Sequence, residues 1–206
     1  MNKKILNSLV AAVCIFIAGC GPETTNIDLV HDDGKAVMAL DYRDFDLAAS
    51  KMVQSMLGSG VLKKADSGRY VMATGRIVND TMQRIDTDQL MAKVEEELLN
   101  SGQVVMTSAV GGKGAPDRMV QEIRELKKSG EADEFNKDTM PAKGQIVAPE
   151  LSISGKIIQR NIGYDKNRQQ VEYYFQLMVT DLTTGLRFWQ KEEIIGKRGS
   201  NKSVAW

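Results

Sequence analysis

The sequence holds a single histidine, two cysteines and four prolines among 206 residues. With only His31 available, this chain alone cannot build a two-histidine metal site. A Ser-His-Asp triad would have to run through that one residue. His31 stands beside Asp32 and Asp33 in a polar stretch without rigid support, which positions neither a ligand nor a base. Cys14 and Cys20 both fall in the first twenty residues, so a disulfide-stapled fold and a cysteine-rich zinc site are excluded. Neither sign of charge is in surplus: 27 Lys and Arg face 27 Asp and Glu. Nucleic-acid binders usually carry a basic excess, so that class is set aside. No phosphate loop is present either. Gly111-Gly112-Lys113-Gly114 runs into Ala115, without the GxxxxGK[ST] spacing. Asp41, Asp44 and Asp46 have the placement of acids at a helix N-terminus, where negative charge favours the dipole, and no acid/base pair stands out. The expectation is a non-enzymatic protein with no cofactor, no metal and no small-molecule substrate.

Hydrophobic residues make up 42% and charged residues 26% of the chain, which is ordinary for a globular protein and foreign to a disordered or collagen-like one. Met1-Asn2-Lys3-Lys4 is a short basic start, and the uncharged apolar run over residues 5–18 is too short to span a bilayer comfortably. That combination fits a secretory signal peptide. It ends in Ile17-Ala18-Gly19-Cys20, which resembles the bacterial lipobox: small residues suit a narrow protease cleft, and the Cys20 thiol receives the lipid. Three acyl chains on Cys20 would hold the protein firmly, at about 0.8 kcal/mol per buried CH₂. Cleavage removes Lys3 and Lys4, leaving 25 basic against 27 acidic residues, a net of minus two. Gly21, rather than Asp, follows Cys20, which points to the outer membrane under the enterobacterial sorting rule.

The expected organisation is a signal peptide over 1–19, a lipidated tether over 20–35 and one domain over 36–206. The tether beyond Cys20 spans at most about 50 Å when extended and roughly 20 Å as a coil. Residues 36–40 form a short apolar run with the look of a first strand. Phe45, Ala48, Met52 and Met56, widened by Ala49 and Val53, make one helical face over 44–57, and Gly58-Ser59-Gly60 ends it. Residues 69–79 read as a strand. Asp86 and Gln89 are spaced as a capping box for a helix over 88–100, with Thr87 as the competing cap; Leu90, Met91, Val94, Leu98 and Leu99 face inward and Glu95, Glu96 and Glu97 mostly outward. Residues 104–106 read as a short buried strand. Pro116 suits a helix start, and Met119, Val120, Ile123 and Leu126 form the apolar stripe of that helix. Residues 130–150 are polar and irregular, long for a connection, with room for a short helix within 131–137.

The last third is β. Leu151, Ile153, Ile157 and Ile158 build one strand, and Val171, Tyr173, Phe175, Leu177 and Val179 alternate through the next. Residues 161–170 read as the loop between them, Thr183-Thr184-Gly185 as a hairpin turn with Gly185 left-handed, and Leu186, Phe188, Trp189 and Ile194 as part of the return strand. The fold class expected is α/β (α+β): a mixed sheet whose helices lie against one face and hide every apolar stripe.

Four features resemble the LpoB-type penicillin-binding-protein activators. They are the lipobox, the 44–62 segment DFDLAASKMVQSMLGSGVL, the Val78-Asn79-Asp80-Thr81 strand end followed by a helix closing at Asn100-Ser101-Gly102, and the final hairpin from Leu177-Met178-Val179 through Thr184-Gly185 to Trp189. The resemblance implies a fold similar to the N-terminal domain of TolB, no catalytic residues, and a class A bifunctional penicillin-binding protein as partner. Enterobacterial members carry a long Pro-rich tether where this chain has about fifteen residues. They also have a helix where this chain has Met140-Pro141-Ala142-Lys143-Gly144-Gln145. The turn carrying Asn79, Asp80, Thr81 and Arg84 is the candidate partner-binding element. A second expectation, which the short tether favours, is an accessory lipoprotein of another envelope assembly or secretion system, of the CsgG or TolB kind.

Overall fold

The computed structural model describes residues 27–29, 31, 34, 36–111 and 117–203. The signal peptide, Cys20, Lys113 and Pro116 lie outside them. The chain divides into two units, residues 1–34 and 35–206. In the first, the His31 imidazole lies 2.6 Å from the Asp28 carboxylate, with both side chains exposed.

The second unit contains helix α1 (Tyr42–Ser59), strand β1 (Tyr70–Asp80), helix α2 (Thr87–Asn100), strand β2 (Val104–Met106), helix α3 (Arg118–Lys128), and strands β3 (Leu151–Gly163), β4 (Arg168–Asp181) and β5 (Arg187–Ser200). The sheet order is β2-β1-β3-β4-β5. β1 runs parallel to both β2 and β3, while β3, β4 and β5 form an antiparallel meander. The expected α/β architecture with a mixed sheet is the one observed.

α1 begins at a reciprocal cap. The Asp41 carboxylate accepts from the amides of Arg43 and Asp44 at 3.0 and 3.2 Å, and Asp44 Oδ2 accepts from the Asp41 amide at 2.8 Å. Two orphan donors are satisfied at once. The helix stops at Gly60, whose φ of 75° places it in the left-handed region. Its Ala48, Ala49, Met52, Val53 and Met56 are buried, and Phe45 meets Phe175 of β4 edge to face at 6.0 Å. α2 packs beside α1 and over β1 and β2. Both helices cover the sheet face that carries Leu151, Ile153 and Ile157 of β3 and Val171, Tyr173, Phe175, Leu177 and Val179 of β4, all of them buried.

The other face has no helical layer from α1 or α2. Strand register places Ile158, Tyr174 and Ile194 in one row and Lys156, Gln176 and Glu192 in the next. Arg160 lies 5.2 Å from the Tyr174 ring, and the Tyr174 hydroxyl donates to Glu172 at 2.6 Å. Polar side chains and aromatic cover thus share this face.

Several local expectations are corrected. Residues 36–40 form no strand; the chain bends at Met38 and Ala39, and side chains rather than a neighbouring strand hold its backbone. Asp86 caps α2 through the Asp88 amide at 3.0 Å, without a reciprocal bond from Gln89. Leu99 is exposed, because the buried stripe of α2 is Leu90, Met91, Val94 and Leu98. All three glutamates have partners: Glu97 accepts from Ser50 at 2.7 Å, Glu95 accepts from Thr74, and Glu96 pairs with Lys93 at 3.6 Å. β3 and β4 run well into 161–170, leaving only 164–167 as the turn. The helix sought in 131–137 is two 3-10 turns, Gly130–Glu134 and Lys137–Thr139. The stripe of α3 is not hidden: α3 packs against the first of those turns, and none of its residues is buried.

Gly155 is the tightest backbone approach in the sheet. A Cβ there would meet the Gln176 carbonyl oxygen of β4 and lie 2.8 Å from Leu177 Cδ2. Overpacking of this kind costs about 1–3 kcal/mol. Gly155→Ala is expected to lower the urea midpoint accordingly, whereas a change at Gly196, which has open space above it, is expected to leave it unmoved.

Candidate functional site

β1 ends in the turn that carries the candidate partner-binding residues, and the turn is built from its own side chains. Asn79 Oδ1 accepts from the Thr81 amide at 3.1 Å and from the Thr81 hydroxyl at 2.7 Å. Asn79 Nδ2 donates to the Gln83 carbonyl at 2.8 Å, and the Gln83 amide donates to Thr81 Oγ1 at 3.1 Å. Asn and Thr therefore appear here because their short polar side chains replace backbone bonds. They shape the turn, and Asn79 is exposed on its surface as well.

Gln83 joins this turn to the core. It is the only polar or charged residue among the buried described residues. Its Nε2 donates to the Tyr173 hydroxyl at 2.5 Å, and its Oε1 accepts from the Leu40 amide at 3.1 Å. The Tyr173 hydroxyl donates to the Met38 carbonyl at 2.9 Å. One residue further on, the Ala39 carbonyl accepts from Lys197 Nζ at 2.7 Å. Lys197 also pairs with Asp44 at 2.5 Å, with side chains only 9% and 13% exposed. The lead-in to α1 is thus fastened by Gln83, Tyr173 and Lys197, beside the turn.

The surface this arrangement presents is mixed. Asp80 pairs with Lys156 of β3 at 2.6 Å on the surface. Met82 is 61% exposed, its amide donating to Gln159 at 3.2 Å. Arg84 is exposed. Of the four residues singled out from the sequence, Asn79, Asp80 and Arg84 are exposed, and Thr81 is half-buried; Asn79 and Thr81 also bond within the turn. Met82, Lys156 and Gln159 were not singled out. Met82 lies between Thr81 and Arg84 in the same turn, and an apolar residue in a polar turn was the available signal. Lys156 and Gln159 are brought there by parallel pairing of β1 with β3, which no local pattern discloses.

Burial pushes the Asp41 carboxyl up, yet the hydrogen bond from Arg43, the Asp44 amide and the charge of Lys197 together hold it below the ordinary carboxylate value. Burial also pushes the Tyr173 hydroxyl up to about 12, against about 10 in an unfolded chain. The folded state therefore keeps a proton that the unfolded state releases. The stability linked to this group is complete below about pH 10 and is lost as pH rises through about 12. Tyr173→Phe should flatten that decline, measured by urea unfolding at stepped alkaline pH; an unchanged slope would contradict the assignment.

Among the described residues no cluster of three His, Cys, Asp or Glu side chains could hold a metal ion, and no described helix is long and apolar enough to cross a membrane. The turn presents a backbone held by its own side chains, the exposed Met82, with Val78 just before it in β1 also exposed, and charges of both signs.

The family described as the peptidoglycan-synthase activator LpoB matches residues 44–195. Among solved structures, the LpoB C-terminal domain from Escherichia coli is 15% identical and aligns with a TM-score of 0.41, covering 74% of this chain and 98% of that domain. The corresponding domain from Salmonella enterica is 14% identical at a TM-score of 0.41, with 74% and 98% covered. The NMR structure of E. coli LpoB is 16% identical at 0.38, covering 90% of this chain and 86% of that one. No curated protein matches the sequence.

Proposed function

We propose that this chain, which belongs to the LpoB family of peptidoglycan-synthase activators, is an outer-membrane lipoprotein that binds and activates a class A bifunctional penicillin-binding protein. The observation that carries the reading is the family match across residues 44–195, which takes in both α/β halves of the sheet and the candidate turn. Acylation at Cys20 would hold the domain on the periplasmic side of the outer membrane. The protein would act by contact, without catalysis, cofactor or small-molecule substrate. Asn79, Asp80, Thr81 and Arg84 form the turn proposed to meet the synthase, with the exposed Met82 among them.

The test is crosslinking of the acylated protein in its native envelope, with the attached partner identified by mass spectrometry. Capture of a class A penicillin-binding protein is the expected result. Met82→Asp with Arg84→Glu is expected to weaken that capture by about tenfold, the equivalent of 1.4 kcal/mol, while leaving the unfolding midpoint in place. The short tether gives the second reading its support: an accessory lipoprotein of another envelope assembly. Capture of a different envelope component, with wall growth normal after deletion, would favour it.

A further inference from the structure

α3 is amphipathic and stands apart from the two-helix layer over the sheet. Met119, Val120, Ile123 and Leu126 form its apolar stripe, yet none of its residues is buried, and Met119 is 56% exposed. Phe135 and Val147, in the segment that follows, are also exposed. Between α3 and residues 141–146 lies a groove of about 600 Å³. Arg124, Lys127, Lys128 and Lys143 line it around an apolar floor that includes Ile123 and Ile146, and Glu125 is its one acid among the described residues. Lys127 donates to the Pro141 carbonyl, and Glu122 of the same helix is occupied by Arg118 at 3.7 Å. Among the described residues, no acidic side chain pairs with Arg124, Lys128 or Lys143.

We propose that α3 and the 141–147 segment form a lipid-contact element that seats on a bilayer surface containing anionic phospholipids. The chemistry matches that surface. Cationic side chains extend to headgroup phosphates while their methylenes and the neighbouring apolar residues enter the acyl boundary. Each Lys or Arg near an anionic surface adds attraction that falls off within a Debye length. Proximity matches as well. The inference rests on the acylation of Cys20 in the reading above: the fifteen residues 21–35 can span at most about 50 Å, which would limit how far the domain stands from the bilayer. Neither the turn at 79–84 nor a synthase partner enters the argument.

The experiment uses the acylated full chain in vesicles of phosphatidylcholine alone or with phosphatidylglycerol added. Because Cys20 carries the lipid, Met119→Cys supplies a single free thiol for an environment-sensitive fluorophore, and Thr183→Cys supplies a control in the distal hairpin. The position-119 label is expected to shift to apolar-type emission only when phosphatidylglycerol is present, and to lose the shift in high salt or with Arg124→Glu and Lys128→Glu. The position-183 label is expected to stay unchanged. Equal responses at the two positions, or no effect of phosphatidylglycerol, would overturn the proposal. So would a photocrosslinker at position 119 that captures a protein and no lipid in the native envelope. A failure to capture a synthase would bear on the proposed function and leave this result standing.

Discussion

Tyr173→Ala is expected to destabilise the domain by about 3–5 kcal/mol, the range for truncating a buried aromatic. The ring is fully buried at the point where α1, the sheet and the lead-in segment meet. Truncation removes its packing and also strands two polar groups. Gln83 Nε2 loses its acceptor and the Met38 carbonyl loses its donor, each left unsatisfied at a cost of about 1–3 kcal/mol if water cannot reach it. Tyr173→Phe separates the two effects, since it keeps the ring and deletes only the hydroxyl. Urea unfolding of the single variants and of Tyr173→Phe combined with Gln83→Leu gives the coupling directly. The double variant should lose less than the sum of the singles, because the Gln83–Tyr173 bond is then removed from both sides at once, while the Met38 carbonyl and the Leu40 amide are left unpaired as in the singles. Strict additivity would mean that the Gln83–Tyr173 bond does not form.

Lys197→Ala is the second large effect. Breaking a buried ion pair by removing one partner costs about 3–5 kcal/mol, because the other charge stays desolvated. Here the stranded group is the Asp44 carboxylate, which keeps only the Asp41 amide and its place in the first turn of α1. The Ala39 carbonyl loses its donor as well. For a domain of this size that loss corresponds to a fall in Tm of roughly 10 °C. Lys197→Ala combined with Asp44→Asn removes the uncompensated charge and should recover part of the loss. A thermal melt unchanged by Lys197→Ala would show that the pair is solvated and that the lead-in segment is held by other means.

Much of this fold was legible because periodicity reports burial directly. The alternation from Val171 to Val179 matches the inward face of β4 residue by residue, and the stripe at Ala48, Met52 and Met56 matches α1. Gly185 adopts the left-handed conformation expected in its turn. The misses share a physical cause. An apolar run such as 36–40 looks like a strand, but its carbonyl and amide partners are side chains of Gln83, Tyr173 and Lys197, up to 158 positions away. Gln83 reads as a turn residue and Lys197 as one more polar residue on an edge strand. Their burial is set by tertiary pairing that a sequence window does not contain. α3 shows the reverse limit: its stripe predicts an amphipathic helix, and the helix forms, but periodicity does not say whether the apolar side meets the sheet.

For the site, the presence of a turn after β1 was legible in Asn79 and Asp80, which break the strand pattern. Which of them reach outward was not, because that depends on the partners each finds inside the turn and across β3. Asn79, Asp80 and Arg84 are exposed, and Met82 is exposed beside them.

The most direct test of the account is the rate of glycan polymerisation by a class A penicillin-binding protein, measured with and without the full-length protein. The account predicts that the wild-type chain raises the rate and that Met82→Asp with Arg84→Glu, folded to the same midpoint, raises it far less. An unchanged rate at concentrations where the two proteins demonstrably bind would contradict it.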